Sequence, residues 1–260
     1  MDYYEVSEAR HMKGLRLVLS AGVPGPWGEA AKGLFQVRGV PFIPVAQVPA
    51  QANSDLVAWT GVRNAPVAVY EDEAPRTSWL DILMLAQRLG DGPPLLPADP
   101  YLRALAIGIS HEICGQWGYG WCRRLMIFAR LWGEEACRNP GELPPDQRQL
   151  ARQYDFRPET LASAPQRLRD ILRMLNDRLE AQRQMEHCYL VGDSLTAADI
   201  YWATFSAMLE PLPHDLNPMP DELRDLYADQ GDAVDGIDTA PLIEHRDFIY
   251  RNHLKLPLDF

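Results

Sequence analysis

The sequence predicts an α/β domain at residues 1–90 followed by an all-helical domain at residues 98–260. In the first part, short apolar runs with the period-two alternation of strands lie between helical stretches. In the second part, apolar residues recur at steps of three and four, as on one face of a helix. The segment Asp91–Pro97 separates the two parts, and its three prolines cannot continue a helix.

The first part has the predicted element order β-α-β-α-β-(β)-α. Leu15, Leu17 and Leu19 alternate with other residues and predict the first strand. Gly39 suits the C-terminal cap of the helix that follows. Strands are predicted at 15–19, 42–45 and 66–70, and helices at 27–37, 55–59 and 78–89. The strand in brackets, between the third strand and the last helix, is optional in this pattern and can be absent.

The second part is predicted to be helical throughout its core. The apolar residues that mark helices are Leu102, Leu105, Ile109 and Ile113, then Trp121, Leu125, Phe128 and Trp132, then Leu168, Ile171, Leu172, Leu175 and Leu179. Gln147–Arg157 and Asp232–Asp238 are expected to be exposed connections.

The composition limits the classes of function. With 47% hydrophobic and 23% charged residues, the chain has the balance of a soluble globular protein. Its formal charge of −11 disfavours nucleic acid and acidic membrane surfaces as partners. The sequence has neither a bilayer-length apolar run nor a signal-peptide pattern, so we expect a cytoplasmic protein without a membrane partner.

The four cysteines are Cys114, Cys122, Cys137 and Cys188. They form no CxxC pair and have no zinc-ligand spacing to a histidine. We therefore expect no metal site, and we interpret the cysteines as small buried apolar residues.

Three short motifs occur along the chain in an order that is more specific than any one of them. In Asn64–Val67 a proline opens a strand directly after a loop, and Thr77-Ser78 begins a helix eleven residues after that proline. In Gly192–Ile200, Thr196 and Asp199 have the spacing of a capping box, with Asp in place of Glu. Each motif alone is common, but their order and the linker between them are more specific.

On these residues the chain resembles the glutathione transferase superfamily from about Leu15 to Phe248. The resemblance implies a thioredoxin-like N-terminal domain, a helical C-terminal domain and a homodimer. It also implies glutathione as a co-substrate and a small hydrophobic or aromatic second substrate, bound between the domains.

The resemblance assigns candidate residues for glutathione binding. It implies that Pro66 is cis and that Ala65 offers its backbone N–H and C=O to the cysteinyl part of the tripeptide. Thr77 and Ser78 correspond to the positions that contact the γ-glutamyl end, although Thr77 departs from the usual Glu or Gln. Gln51 is favoured for the glycyl carboxylate, since Val40–Gly61 contains no Lys, Arg or His.

The usual thiol-activating Ser, Cys or Tyr is missing. The corresponding positions fall at Gly25–Trp27 or about Ala21, none of which carries the expected group. Ser20 lies one residue away from the second of these and is an alternative catalytic candidate, since a shifted loop could bring its hydroxyl to the thiol. We expect the indole N–H of Trp27 and the backbone N–H groups after Pro26 to replace the hydroxyl, because a helix N-terminus favours a thiolate.

The aromatic segment around Trp117 and Trp121, together with Trp27, is expected to line the second-substrate site, with His111 as a possible acid or base. The predicted enzyme activates glutathione for conjugation, thiolytic cleavage or isomerisation of an electrophile. One alternative is a non-catalytic protein of the same fold that binds apolar ligands or a protein partner. Another is a glutathione-independent enzyme with His111 or Glu112 as base.

Overall fold

The computed structural model describes residues 1–49 and 51–260. Its sheet consists of β1 (Leu15–Ser20), β2 (Ile43–Gln47) and β3 (Val67–Tyr70), in the order β2-β1-β3. Strand β2 is parallel to β1, whereas β3 is antiparallel to it. The three strands lie where the sequence predicts them, within one or two residues at each end.

Helices occupy most of the remaining chain. They are α1 (Val6–Ala9), α2 (Pro26–Val37), α3 (Ser54–Thr60), α4 (Trp79–Leu89), α5 (Pro100–Cys114), α6 (Tyr119–Trp132), α7 (Pro145–Gln153), α8 (Pro158–Gln184), α9 (Ala197–Phe205), α10 (Asp221–Ala228) and α11 (Ala240–His253). Gly39 has a φ of +70° immediately after the C-cap of α2, which explains the glycine at this position.

Both faces of the sheet are buried. Leu15, Leu17 and Leu19 point into the main core with residues of α2 and α4, while Val18 packs on the other side with Leu56 of α3. The alternation predicted from the sequence is therefore present, but it does not separate a buried face from an exposed one. Helices α1 and α3 supply the apolar residues that cover the second face.

The optional fourth strand is reduced to a single bridge between Ala68 and Arg76 within the described residues. The polar turn at Glu71–Glu73 leads into this bridge, and the Arg76 guanidinium pairs with Glu73. The chain then enters α4 directly.

The helical half packs around α5, α6, α8 and α9, and α9 also packs against α2 of the first half. One expectation here is wrong: Gln147–Arg157 is not an exposed connection, because α7 occupies it as far as Gln153 and Phe156 is buried. Pro145 begins α7, and Ala151 buries its side chain in the core. Asp232–Asp238 contains no helix or strand, as expected.

The predicted capping box at the start of α9 is confirmed. The Asp199 carboxylate accepts the backbone N–H of Thr196 at 2.8 Å and the backbone N–H of Leu190 at 2.7 Å. It also bonds His245 Nε2 of α11 at 3.0 Å, and it is fully buried. One side chain thus caps α9 and joins it to a loop and to α11.

The substitution Asp199→Ala is expected to lower the free energy of unfolding by about 3 kcal/mol or more, because it leaves several buried donors without an acceptor. Urea denaturation followed by circular dichroism measures this change. Asp193→Ala is the matched control, since Asp193 is exposed and should change stability by less than about 0.5 kcal/mol. Equal effects of the two substitutions would contradict this role for Asp199.

Candidate functional site

A cavity of about 560 Å³ lies between the first half of the chain and the helical half. Its walls come from the ends of β1 and β2, the N-terminal ends of α2 and α4, and the facing surfaces of α5, α6 and α7. The two halves therefore build this cavity together, a place where ligand-binding cavities commonly lie.

All of the residues predicted for glutathione binding line this one cavity, together with Ser20. They are Gln51, Ala65, Pro66, Thr77 and Ser78. The elements that bring them together are distant in sequence, and no local pattern fixes their meeting point.

The loop before β3 presents unused backbone groups to the cavity. The Ala65–Pro66 peptide bond is cis, as the resemblance implies. Strand β3 begins at Val67, and within residues 1–49 and 51–260 neither the N–H nor the C=O of Ala65 forms a hydrogen bond. A buried or half-buried peptide group normally has a partner, so these two groups are available to a ligand.

Ser78 is the N-cap of α4. Its Oγ accepts the backbone N–H of Asp81 at 3.1 Å and donates to the Asp81 carboxylate at 2.7 Å. Ser78 and Thr77 are both exposed at the mouth of the cavity. The cap fixes the direction of the helix N-terminus that opens toward the cavity.

The hydroxyl of Ser20 is already engaged. Ser20 Oγ donates to Gln47 Oε1 at 2.7 Å, while Gln47 Nε2 donates to the carbonyl of Val48 at 3.1 Å. Because the Val48 carbonyl can only accept, the amide of Gln47 must turn its oxygen toward Ser20. Ser20 therefore faces the cavity without a proton to offer unless this pair breaks.

The N-terminus of α2 supplies donors that no side chain occupies. Gly25 is its N-cap and has no side chain to bond the first turn. In the described part of the chain, the backbone N–H groups of Trp27 and Gly28 have no acceptor, and both residues line the cavity. The partial positive charge of the helix N-terminus thus faces the same space as Ala65.

The structure gives Trp27 a different role from the predicted one. Its indole Nε1 donates to the carbonyl of Cys114 at 2.9 Å, and its ring packs edge-on against Phe205 at 4.7 Å. The expectation that this N–H serves as a donor to a sulfur atom is corrected, because the proton is committed to α5. Trp27 still lines the cavity with its ring.

The predicted second-substrate residues divide into two groups. Trp121 lines the cavity, but His111 is exposed outside it, at 6.0 Å from the ring of Trp79. Trp117 also lies outside, where its carbonyl accepts from Arg167. These two assignments are corrected: His111 lies at an exposed position of α5, and Trp117, in the turn between α5 and α6, is also outside the cavity lining. Glu112, the alternative base, pairs with Arg167.

Several cavity residues were missed by the sequence analysis. Arg63 lines the cavity near Asn64 and donates to the carbonyl of Asp146 at 3.2 Å. Arg124, Tyr154 and Tyr227 line the opposite wall, on α6, after α7 and on α10. The adjacent arginines 123 and 124 are visible in the sequence, but only the fold shows that the second one faces the cavity.

The cysteines behave as small buried residues at three of their four positions. Burial raises the pKa of the Cys114 thiol well above its ordinary value and raises that of Cys122 to about 12. Neither is a thiolate near neutral pH. In the part of the chain that the structure describes, no cluster of three or more His, Cys, Asp or Glu side chains could hold a metal ion.

Among the described residues, no helix combines the length and apolar character needed to cross a bilayer.

Solved structures of glutathione transferases match the whole arrangement. A glutathione S-transferase from Methylobacillus flagellatus with glutathione bound is similar with a TM-score of 0.61 and 13% identity, covering 92% of this chain and 95% of that one. The β-etherase LigF from Sphingobium sp. strain SYK-6 is similar with a TM-score of 0.64 and 18% identity, covering 93% of this chain and 97% of that one. A maleylacetoacetate isomerase from Methylobacterium extorquens AM1 is similar with a TM-score of 0.56 and 16% identity, covering 91% of this chain and 92% of that one.

The chain therefore has the glutathione transferase fold, a thioredoxin-like domain followed by a helical domain. No family model and no curated protein sequence matches it. At these low identities the likeness establishes the fold, and the function must be argued from the cavity itself.

The substitution Trp27→Phe is expected to lower the free energy of unfolding by about 1–2 kcal/mol, because the carbonyl of Cys114 loses its donor. If the indole N–H has no role in thiol activation, the pKa of bound glutathione should not change, as measured by thiolate absorbance in the ultraviolet.

Trp132→Phe is the matched control for lost ring size, since Trp132 stacks on Phe128 at 4.2 Å and its N–H has no acceptor in the described chain. A marked rise in the glutathione pKa in Trp27→Phe alone would restore the original assignment.

Proposed function

We propose that the chain is a glutathione transferase-type enzyme that binds glutathione in this cavity and activates its thiol for attack on a hydrophobic or aromatic electrophile. One observation carries the proposal. The backbone N–H and C=O of Ala65 and the amides at the start of α2, which have no partner among residues 1–49 and 51–260, line a single cavity. This arrangement suits a ligand that combines a peptide backbone with a developing anion.

In the proposed mechanism the first turn of α2 stabilises the thiolate. The N–H groups of Trp27 and Gly28 would donate to the sulfur, and the helix dipole adds a favourable potential. Ser20 is a secondary candidate, because its hydroxyl must first leave Gln47. The deprotonated sulfur then attacks the electrophile held by the aromatic wall, which includes Trp27 and Trp121.

The two ends of the tripeptide have separate proposed partners. Thr77 and Ser78, at the N-terminus of α4, would receive the γ-glutamyl end, where backbone amides favour its carboxylate. Gln51 would meet the glycyl carboxylate. Two other polar side chains in this region are already engaged: Asn53 is held by the backbone of Val48, and Gln47 is held by Ser20. Arg63, on the same cavity wall, is an additional cation for this carboxylate.

The reaction is proposed only as a class. Nucleophilic attack by a thiolate supports conjugation, thiolytic cleavage and isomerisation alike. Among the structures of similar fold, one is named as a β-etherase and another as an isomerase, which illustrates that this fold accommodates more than one outcome. The homodimer and the cytoplasmic location remain predictions.

A second candidate function is a binding protein that no longer activates a thiol. The absence of a Ser, Cys or Tyr at the usual positions, together with the engaged hydroxyl of Ser20, favours it. The glutathione-independent enzyme has less support, since His111 lies outside the cavity and Glu112 is paired.

Titration with reduced glutathione separates these candidates. Calorimetry is expected to give saturable binding at millimolar or lower concentration, and ultraviolet difference spectra are expected to show a thiol pKa below the value for free glutathione. Binding with an unchanged pKa would support the binding protein. No binding at millimolar glutathione would contradict the proposal.

Substitutions at Gly25 test the role of the helix amides. A Cβ at Gly25 meets no atom within 4 Å, and its φ of −65° and ψ of 129° suit any N-cap residue. Gly25→Asn and Gly25→Asp should each occupy the free amides and stabilise α2 by a few tenths of a kcal/mol.

We expect the pKa of bound glutathione to rise in Gly25→Asn and to rise further in Gly25→Asp, where a carboxylate also repels the thiolate. Because both variants should be at least as stable as the native protein, unfolding would not account for the change. Ser20→Ala is the comparison variant and should have little effect. A pKa that responds to Ser20→Ala but not to Gly25→Asp would assign activation to the hydroxyl instead.

A further inference from the structure

Arg124 is a cation in the wall of the cavity, contributed by the helical half. It lies on α6, is partly buried, and places its guanidinium carbon 5.9 Å from the centre of the Trp27 ring. The phenols of Tyr227 and Tyr154, which also line the cavity, flank this guanidinium. Burial lowers the pKa of Arg124, but these two phenols raise it by more, so the group remains fully charged.

The charge of Arg124 has no anionic partner in the described chain. Glu29 is the one acidic residue among the described residues that line the cavity, and it pairs with Lys32 at 2.7 Å. Burial raises the pKa of the Tyr154 phenol, and phenols are neutral near pH 7 in any case. Removing a cation from water without a counter-ion costs desolvation free energy, so an anionic ligand would stabilise this site.

Two other arginines on the same helix, Arg123 and Arg130, have the hydrogen-bond or ion-pair partners that Arg124 lacks among the described residues. Arg123 is buried and donates to the carbonyls of Met208, Tyr227 and Asp229 at 2.9–3.1 Å. Arg130 is exposed and pairs with the Asp229 carboxylate at 2.6 Å. Within the described residues Arg124 has neither carbonyl nor carboxylate partners, and its neighbours in the cavity lining are the phenols of Tyr154 and Tyr227.

The wall around Arg124 is aromatic. The rings of Trp121 and Tyr154 lie 4.3 Å apart, and Phe128 packs on Tyr154 at 5.3 Å. All three residues line the cavity. A ligand seated here therefore meets apolar ring faces together with one fixed positive charge.

We infer that Arg124, together with Tyr154 and Tyr227, binds the carboxylate of an aromatic acid, and that the second substrate belongs to this class. A guanidinium binds a carboxylate with two parallel hydrogen bonds, and the two phenols can donate to the same oxygens. The aromatic part of the acid would stack within the wall formed by Trp121, Phe128 and Trp27. This inference rests on the proposed function only in calling the ligand a substrate.

The test compares two probes of equal shape, 2-naphthoate and 2-naphthamide, by calorimetry at pH 7 with the full chain, with and without glutathione. We expect the native protein to bind the carboxylate at least about tenfold more tightly than the neutral amide, as charge-assisted hydrogen bonds predict. In Arg124→Met the preference should disappear while naphthamide still binds. In Arg130→Met, the matched control on the same helix, the preference should be unchanged.

Two results would overturn the inference: equal binding of both probes to the native protein, or a preference that survives in Arg124→Met. If Arg124→Met fails to fold by circular dichroism, Arg124→Lys is used instead. This substitution keeps the charge but loses the planar fork, so the preference for naphthoate over naphthamide should weaken several-fold. An unchanged preference in Arg124→Lys would contradict the paired geometry. Naphthoate binding without any glutathione binding would support this site while contradicting the proposed function, so the two failures are distinguishable.

Discussion

The indole N–H of Trp27 donates to the carbonyl of Cys114, and this bond joins the first turn of α2 to the last turn of α5. A carbonyl in the last turn of a helix has no partner within that helix, so the indole satisfies a group that would otherwise be unpaired. The same ring packs on Phe205 of α9. The N-terminus of α2 is thereby fixed relative to the helical half, and the cavity between the halves depends on this spacing.

Close packing near the same point explains the glycines between α5 and α6. A Cβ at Gly120 would lie 2.3 Å from the ring of Phe205 and 3.2 Å from that of Trp27. At Gly115 it would collide with the ring of His111, and at Gly118 with the carbonyl of Glu112. The cost of glycines in this segment is thus offset by a tight turn and by close approach to the interdomain aromatic residues.

The charge of the cavity is opposite to that of the whole chain. The protein carries a formal charge of −11, yet the cavity wall contains Arg63 and Arg124 and a single acidic residue that is already paired. Net charge describes the solvated surface and says little about one interior wall. An acidic protein can therefore offer a site that attracts anions.

Much of the fold could be predicted from local patterns. The alternation at Leu15–Leu19, the glycine at position 39 and the spacing of Thr196 and Asp199 each reflect a short-range rule, and each element lies close to its predicted position. Gln147–Arg157 was misjudged because its mainly polar composition concealed two buried positions, Ala151 in α7 and Phe156 shortly after it. The prediction for Trp117 and His111 failed because composition does not specify which side of a helix or a turn faces a cavity built from distant elements.

By itself the sequence determined the two-part architecture and the starts of α4 and α9, since these follow from local backbone preferences and short motifs. The residues around Ala65 and Ser78 were assigned through the family resemblance, and the structure places them in one cavity. Only the tertiary structure decided the partners of individual polar groups. It committed the N–H of Trp27 to Cys114 and the hydroxyl of Ser20 to Gln47, and it left the guanidinium of Arg124 facing the cavity. The physical reason is that hydrogen-bond satisfaction depends on which groups meet across distant elements, and no spacing along the chain encodes that meeting.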